Sequence, residues 1–297
     1  VLTVAGRAIV LDGIAVSIDG GEGGMQAGIE LTLAGGGAVK GRFLAPGQAL
    51  LAVPEKGEAD LEWAGLDVTL LGPWLPHTLG MEGRIGGKAT GSLLPGRRIA
   101  AKGAADLSAG KIRWLGQEGE ISMNVRSASL SAEWQGEALH GAIELSLAEQ
   151  GRLRGDLHVP LPARLPAHLD RKGALRGTLS AQAREAGMLA SLFPGVIRES
   201  RGDFHAELTI GGSWQEPACV GDIRLTGAGA YLPTAGIRID DVQAAVRLEK
   251  DLIRVDTFKA VSGSGTIEGT AQVRLRGWKM VDYRGSITGE RFRTIHL

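Results

Sequence analysis

The chain has 297 residues, 46 of them glycine, with 43% hydrophobic, 22% charged and only 4% aromatic side chains. That much apolar material excludes wholesale disorder. The balance of 33 basic against 33 acidic residues excludes a whole-chain attraction for nucleic acid or an anionic bilayer. Cys219 is the single cysteine, so neither an intrachain disulfide nor a thiolate metal cluster is available.

Period-2 alternation begins near the start, with Ile14, Val16 and Ile18, then Ile29, Leu31 and Leu33. Leu70 to Leu75 is a short apolar patch broken by Pro73, a candidate helical cap. Ile121, Met123 and Val125 alternate, and Ala128, Leu130, Ala132 and Trp134 follow in the opposite phase. A bend or bulge is expected near Ser127. Ile143, Leu145 and Leu147 come next, then Leu153, Leu157 and Val159. Pro160 to Asp170 carries three prolines and cannot be an interior strand. Ala181 to Phe193 is the best helix candidate, stopped by Pro194. Alternation returns with Ile223 and Leu225, Ile237 and Ile239, then Val242 to Leu248, Ile253 and Val255. Ile267, Ala271, Val273 and Leu275 carry it towards the end.

Glycine clusters at Gly20–Gly21, Gly35–Gly37, Gly86–Gly87, Gly211–Gly212 and Gly263 with Gly265 read as breaks between strands. Strands do not alternate with long helices, which argues against an α/β fold. The expected fold is all-β and mainly antiparallel, with one or two short helices. Three segments are expected: a β-rich module over 1–159 with an apolar cap near 70–76, a proline-rich connector over 160–172, and a second β-rich module over 173–297. The run from Leu70 to Pro76 and that from Met188 to Pro194 stand about 118 residues apart, each followed by two spaced glycines, which suggests a repeat.

Catalytic signatures are missing. The six histidines are scattered, so no metal is expected. Gly263-Ser-Gly-Thr-Ile-Glu-Gly269 leads into strand spacing rather than a helix, so it is no nucleotide loop and no cofactor is expected. Asp240 and Asp241 are adjacent and point to opposite faces unless a bulge intervenes. They read as a strand boundary rather than an acid–base pair. Cys219 reads as a small buried apolar residue. The expectation is a protein that is not an enzyme.

The final third holds the most specific signal. Arg201-Gly-Asp-Phe-His to Trp214-Gln-Glu-Pro217 precedes Gly221-Asp-Ile-Arg-Leu225 and Gly229-Ala-Tyr-Leu-Pro233. Gly236-Ile-Arg-Ile-Asp-Asp-Val242 and Gly263 to Gly269 follow. This order of glycine strands and proline turns resembles the TamB family of AsmA-like bridge proteins, best over Gly173 to Val273 and more weakly over Gly57 to Arg113. The resemblance implies a β-taco, a long sheet curled into an open trough with an aliphatic interior. It implies a periplasmic fragment of a parent anchored in the inner membrane of a Gram-negative bacterium. The parent's leader and anchor would lie outside this chain, which starts at Val1. It further implies passage of phospholipid acyl chains between membranes, and a BamA-like or TamA-like outer-membrane barrel protein as partner of the parent. No catalytic residue comes with the family.

Candidate positions for the apolar groove are Ile237, Ile239, Val246, Ile253, Val255, Ile267 and Val273. The residues alone would favour the same side chains filling a closed sandwich core; the resemblance favours a trough. A protein-binding scaffold for outer-membrane protein biogenesis, working through exposed strand edges, is the alternative function. A carbohydrate-acting β-helix lacks the expected tyrosines, and a membrane barrel lacks aromatic girdles.

Overall fold

The computed structural model describes residues 2–4, 7–21, 23–46, 55–74, 78–116, 119–148, 151–186, 195–234, 236–276 and 279–291. β1 (Leu2–Val4) and β2 (Arg7–Ile9) form a small hairpin of their own. The sheet proper begins with β3 (Leu11–Gly21), β4 (Gly24–Leu33), β5 (Ala38–Pro46), β6 (Gly57–Asp67) and β7 (Leu79–Leu94). It continues through β8 (Arg98–Gly116), β9 (Gly119–Gln135), β10 (Ala138–Leu147), β11 (Gly151–Val159) and β12 (Arg176–Ala186). It ends with β13 (Arg198–Gly212), β14 (Pro217–Leu232), β15 (Ile237–Lys250), β16 (Leu252–Ser262), β17 (Gly265–Arg276) and β18 (Lys279–Glu290). These sixteen strands hydrogen-bond in sequence order from β3 to β18, and the order does not close. The all-β, antiparallel, open fold expected from the sequence is therefore present.

Helix is scarce, as expected. Among the described residues it is a single 3-10 turn, η1 (Val68–Trp74), at the apolar cap. Asp67 caps it: the Thr69 N–H donates to Asp67 Oδ1 at 2.8 Å. The helix expected over Ala181 to Phe193 is corrected in its first half. Ala181 to Ala186 continue β12 and pair with Arg201 to Ala206. Ala, Gln, Arg and Glu favour helix, but Ala181 and Ala183 alternate with Gln182 and Arg184, and the ladder overrides propensity. Residues 187–194 lie outside the described residues.

Two further expectations are corrected. Gly86 and Gly87 do not break a chain; they lie inside β7. A Cβ at Gly87 would stand 2.4 Å from the Trp63 ring, so the glycine makes room for the indole. Asp240 and Asp241 do not end a strand. They form a bulge inside β15, with Asp241 at φ 47 and a register shift between Asp240 and Gln243. In β9 the phase does switch as expected: Arg126 and Ser127 are both exposed between buried Val125 and half-buried Ala128.

The chain divides into two units. The first comprises 1–112, 125–143 and 158–170; the second comprises 113–124, 144–157 and 171–297. Side chains of directly paired residues share a face, so the registers define the faces of each unit. In the first, Val16, Ile29, Gly41, Leu61 and Ala89 make one row across β3 to β7. Ile18, Ala27, Phe43, Ala59 and Gly91 make the next. The opposite face carries Glu30, Lys40, Glu62 and Lys88 in alternating charge. Lys40 pairs with Glu30 at 3.1 Å and Arg42 with Asp60 at 3.0 Å. Arg84 reaches from β7 to the carbonyls of Gly65 (2.8 Å) and Gly35 (3.0 Å), tying the β4–β5 turn to β6.

The Asp67 carboxyl is held below the usual carboxylate range by its bonds to Thr69 and by the Arg84 guanidinium. A depressed carboxylate stabilises the fold above its unfolded value, and that contribution is lost as pH falls through the lower folded one. Asp67→Asn is therefore expected to lower the urea midpoint at neutral pH, with the difference shrinking as pH drops below about 4. Urea titrations of both proteins at several pH values check this.

The repeat suggested by the sequence has a counterpart in the strands. β6, β7 and β8 begin at Gly57, Leu79 and Arg98; β12, β13 and β14 begin 119 residues later, at Arg176, Arg198 and Pro217. Gly83, fifth in β7, has φ 132, and Gly202, fifth in β13, has φ 136. A Cβ on Gly83 would stand 2.8 Å from the Ala109 carbonyl oxygen, and one on Gly202 would stand 2.6 Å from the Ala228 Cβ. Ala109 and Ala228 are again 119 apart. Both strands thus bend through a glycine pressed on the next strand.

Candidate functional surface

In the second unit the seven candidate residues fall on one face. Val246 pairs directly with Val255, and Ile253 with Val273. Ile267 pairs with Ala260, Ile239 with Ala230 and Ile237 with Leu232. The Asp241 bulge adds one residue between Ile239 and Val242, which keeps both ends of β15 on the same face. Ile237 is buried and the other six are half-buried.

The registers extend this face well past those seven positions. Ala181, Ala206, Ile223, Val246, Val255, Ala271 and Gly285 make a continuous row across β12 to β18. Leu179, Leu208, Gly221, Leu248, Ile253, Val273 and Tyr283 make a second, beside it. Ala183, Phe204, Leu225, Ala244 and Phe258 make a third, crossing the bulges of β14, β15 and β16. Sequence reasoning found the strands but not these rows. Counting residues outward from a tight turn aligns them only as far as the first bulge.

The reverse face is a network of charge. Arg247 and Arg254 face one another across β15 and β16. Arg247 is neutralised by Asp222 at 3.6 Å and Asp256 at 3.5 Å, and Arg254 by Glu249 at 3.1 Å. Lys259 pairs with Glu268 at 3.2 Å and Arg238 with Glu199 at 2.6 Å. Arg201 pairs with Asp240 across the bulged corner.

A closed sandwich would bury one face of each unit. Here the buried hydrophobics among the described residues are few, and most are alanine. On the apolar face of the first unit Val16 is 61% exposed and Leu61 42%. With the strand order unclosed and these side chains exposed, the closed core that the residues alone favoured is not what the described residues build.

Two recesses lie in the first unit. A recess of about 910 Å³ lies among the strand ends of the first unit, at Met25, Leu44, Ala45, Pro46 and Leu94. Another of about 740 Å³ takes in the row Val16, Ile29, Gly41, Leu61 and Ala89 together with charged residues such as Glu30, Lys40 and Asp60. Cys219, half-buried rather than buried, pairs with Ile210 and Lys250. Burial pushes its thiol up, away from the reactive thiolate. His140 and His158 approach to 6.4 Å between ring centroids. Among the described residues no cluster of three metal-ligating side chains forms.

The family model described as TamB, N-terminal domain, matches residues 48–225. The match takes in Arg201 to Pro217 and Gly221 to Leu225, and it covers the segment from Gly57 to Arg113, where the resemblance of the motifs is weaker. All seven candidate residues lie beyond its C-terminal end. No curated protein and no solved structure matches the chain.

Proposed function

The chain belongs to the TamB family, and from that premise we propose that it is a periplasmic bridge segment whose apolar sheet faces hold phospholipid acyl chains in transit between inner and outer membranes. The family is one of the Gram-negative envelope and of the translocation and assembly module. The parent protein would be anchored in the inner membrane and would meet a TamA-like or BamA-like barrel at the outer one.

A single observation carries the reading: rows of aliphatic side chains run across successive strands on one face of a sheet whose strand order does not close. Water against such a face is unfavourable, and an acyl chain gains about 0.8 kcal/mol per methylene it buries there. Such contact needs no specific partner, so a lipid can slide along it. The charged reverse face keeps the sheet soluble.

The scaffold reading is favoured by a different observation. β18 is exposed along its whole described length, and its outer edge is unpaired among the described residues. An open edge templates an extended segment by strand addition.

Native mass spectrometry of the chain purified without detergent, with extraction and identification of bound lipid, tests the proposal. Adducts at phospholipid mass are expected. A lipid-free chain that also takes up no labelled phospholipid on incubation overturns the lipid reading and leaves the scaffold.

A further inference from the structure

We propose that Arg98 and Arg164, with Arg97 beside them, form a phosphate site that takes the headgroup of an anionic phospholipid at the rim of the first unit. The proposal rests on the reading that the chain handles phospholipid, and adds a headgroup contact to it. Pro160 to Leu175 runs without a strand, and its first part is stitched to the start of β8. Ile99 N–H donates to the Ala163 carbonyl at 2.8 Å, and Leu165 N–H donates to the Arg97 carbonyl at 2.9 Å. These two bonds flank an isolated antiparallel bridge between Arg98 and Arg164. That pattern makes the two arginines a non-hydrogen-bonded pair, with Cα atoms about 4.5 Å apart and side chains at their closest. Like charges directly opposite are destabilising.

The protein has a second facing arginine pair, and the contrast is informative. Arg247 and Arg254 are neutralised by Asp222, Asp256 and Glu249. Among the described residues Arg97, Arg98 and Arg164 have no carboxylate in ion-pair range. Arg98 Nε donates to the Pro95 carbonyl at 3.3 Å, which fixes the guanidinium over the turn. Arg97, at φ 60, is held in the left-handed region at that same turn. A tetrahedral phosphate accepts from two guanidinium forks at once and would neutralise the pair. Leu94, the last residue before that turn, is 38% exposed. It offers apolar contact to the first carbons below a headgroup, which a free anion would not use.

The test is sedimentation of the whole chain with vesicles of phosphatidylcholine alone or mixed with phosphatidylglycerol. Wild type is expected to bind the anionic vesicles. Arg98→Gln with Arg164→Gln should weaken that binding about thirtyfold, at about fivefold per arginine, while Arg98→Lys with Arg164→Lys keeps most of it. In lipid-free buffer Arg164→Gln should raise Tm, since it removes the repulsion. Unchanged vesicle binding in the Gln pair, or a Tm that falls, overturns the proposal. So does inorganic phosphate that raises Tm and abolishes sedimentation at millimolar concentration, which would assign the site to free phosphate. Lipid adducts by native mass spectrometry should persist in the Gln pair. Their absence from wild type as well would count against the acyl-chain reading, whatever the arginines do.

Discussion

Val246→Asp together with Val255→Asp is expected to strip bound phospholipid from the second unit while leaving its strands intact. The two valines are direct cross-strand partners in the middle of the row from Ala181 to Gly285. An acyl chain crossing β15 and β16 along that row must cover both positions. Covering a carboxylate takes it out of water without a hydrogen-bond partner, at a cost of several kcal/mol. Several buried methylenes supply no more than that. In the lipid-free chain both side chains are only half-buried, so the carboxylates keep part of their hydration. Each substitution should then cost stability of about 1–2 kcal/mol. Native mass spectrometry should read lost adducts, with circular dichroism unchanged in its strand signal. Gln272→Asp, on the charged face, is the control and should retain lipid. A folded double variant that still carries lipid at the wild-type level would remove the acyl chain from this face.

The strands were legible because alternation is local. Ile14 to Ile18 and Ile253 with Val255 state their own phase, and a polar residue between them states the other face. The rows were not legible, because a row is a statement about register. Register here is set by turn lengths and by bulges at Gly227, Asp241 and the stretch from Val255 to Phe258. A bulge is one extra residue and leaves hardly a trace in composition. Asp240-Asp241 looked like a boundary because two acidic residues interrupt an apolar pattern; the interruption is real, but the ladder runs through it. Ala181 to Ala186 looked helical because propensity is read residue by residue, whereas pairing with β13 is decided elsewhere. The open face was hidden for a deeper reason. The same aliphatic alternation serves a sandwich core and a single layer, and only the absence of a second layer distinguishes them. The arginine pair was hidden too, since Arg98 and Arg164 are 66 positions apart and meet only because the proline-rich segment folds back on β8.

Gly202→Ala is expected to be the most damaging single methyl that can be added at the bulged corner of the second unit. At φ 136 the residue sits where L side chains are strained, and the new Cβ would stand 2.6 Å from the Ala228 Cβ and 2.7 Å from its Cα. Ala228 is 4% exposed and has nowhere to retreat. Either the backbone leaves the left-handed side and undoes the register shifts between Arg198, Arg201 and Asp203, or β14 moves away from β13. Strain and overpacking together should cost about 3 kcal/mol or more. Gly227→Ala separates the two causes, because its φ is 56 but nothing lies within 4 Å of the new methyl. It should cost only about 1 kcal/mol. Gly83→Ala, at the equivalent bend of the first unit, should match Gly202→Ala if the offset of 119 reflects one structural design used twice. Urea unfolding of the three variants, with amide exchange to assign the loss to β7–β8 or β13–β14, reads all of this. Equal costs for Gly202→Ala and Gly227→Ala would mean that β13 and β14 do not approach as closely as their registers require. The lost contact would then lie at the joint that keeps the apolar rows continuous across the corner.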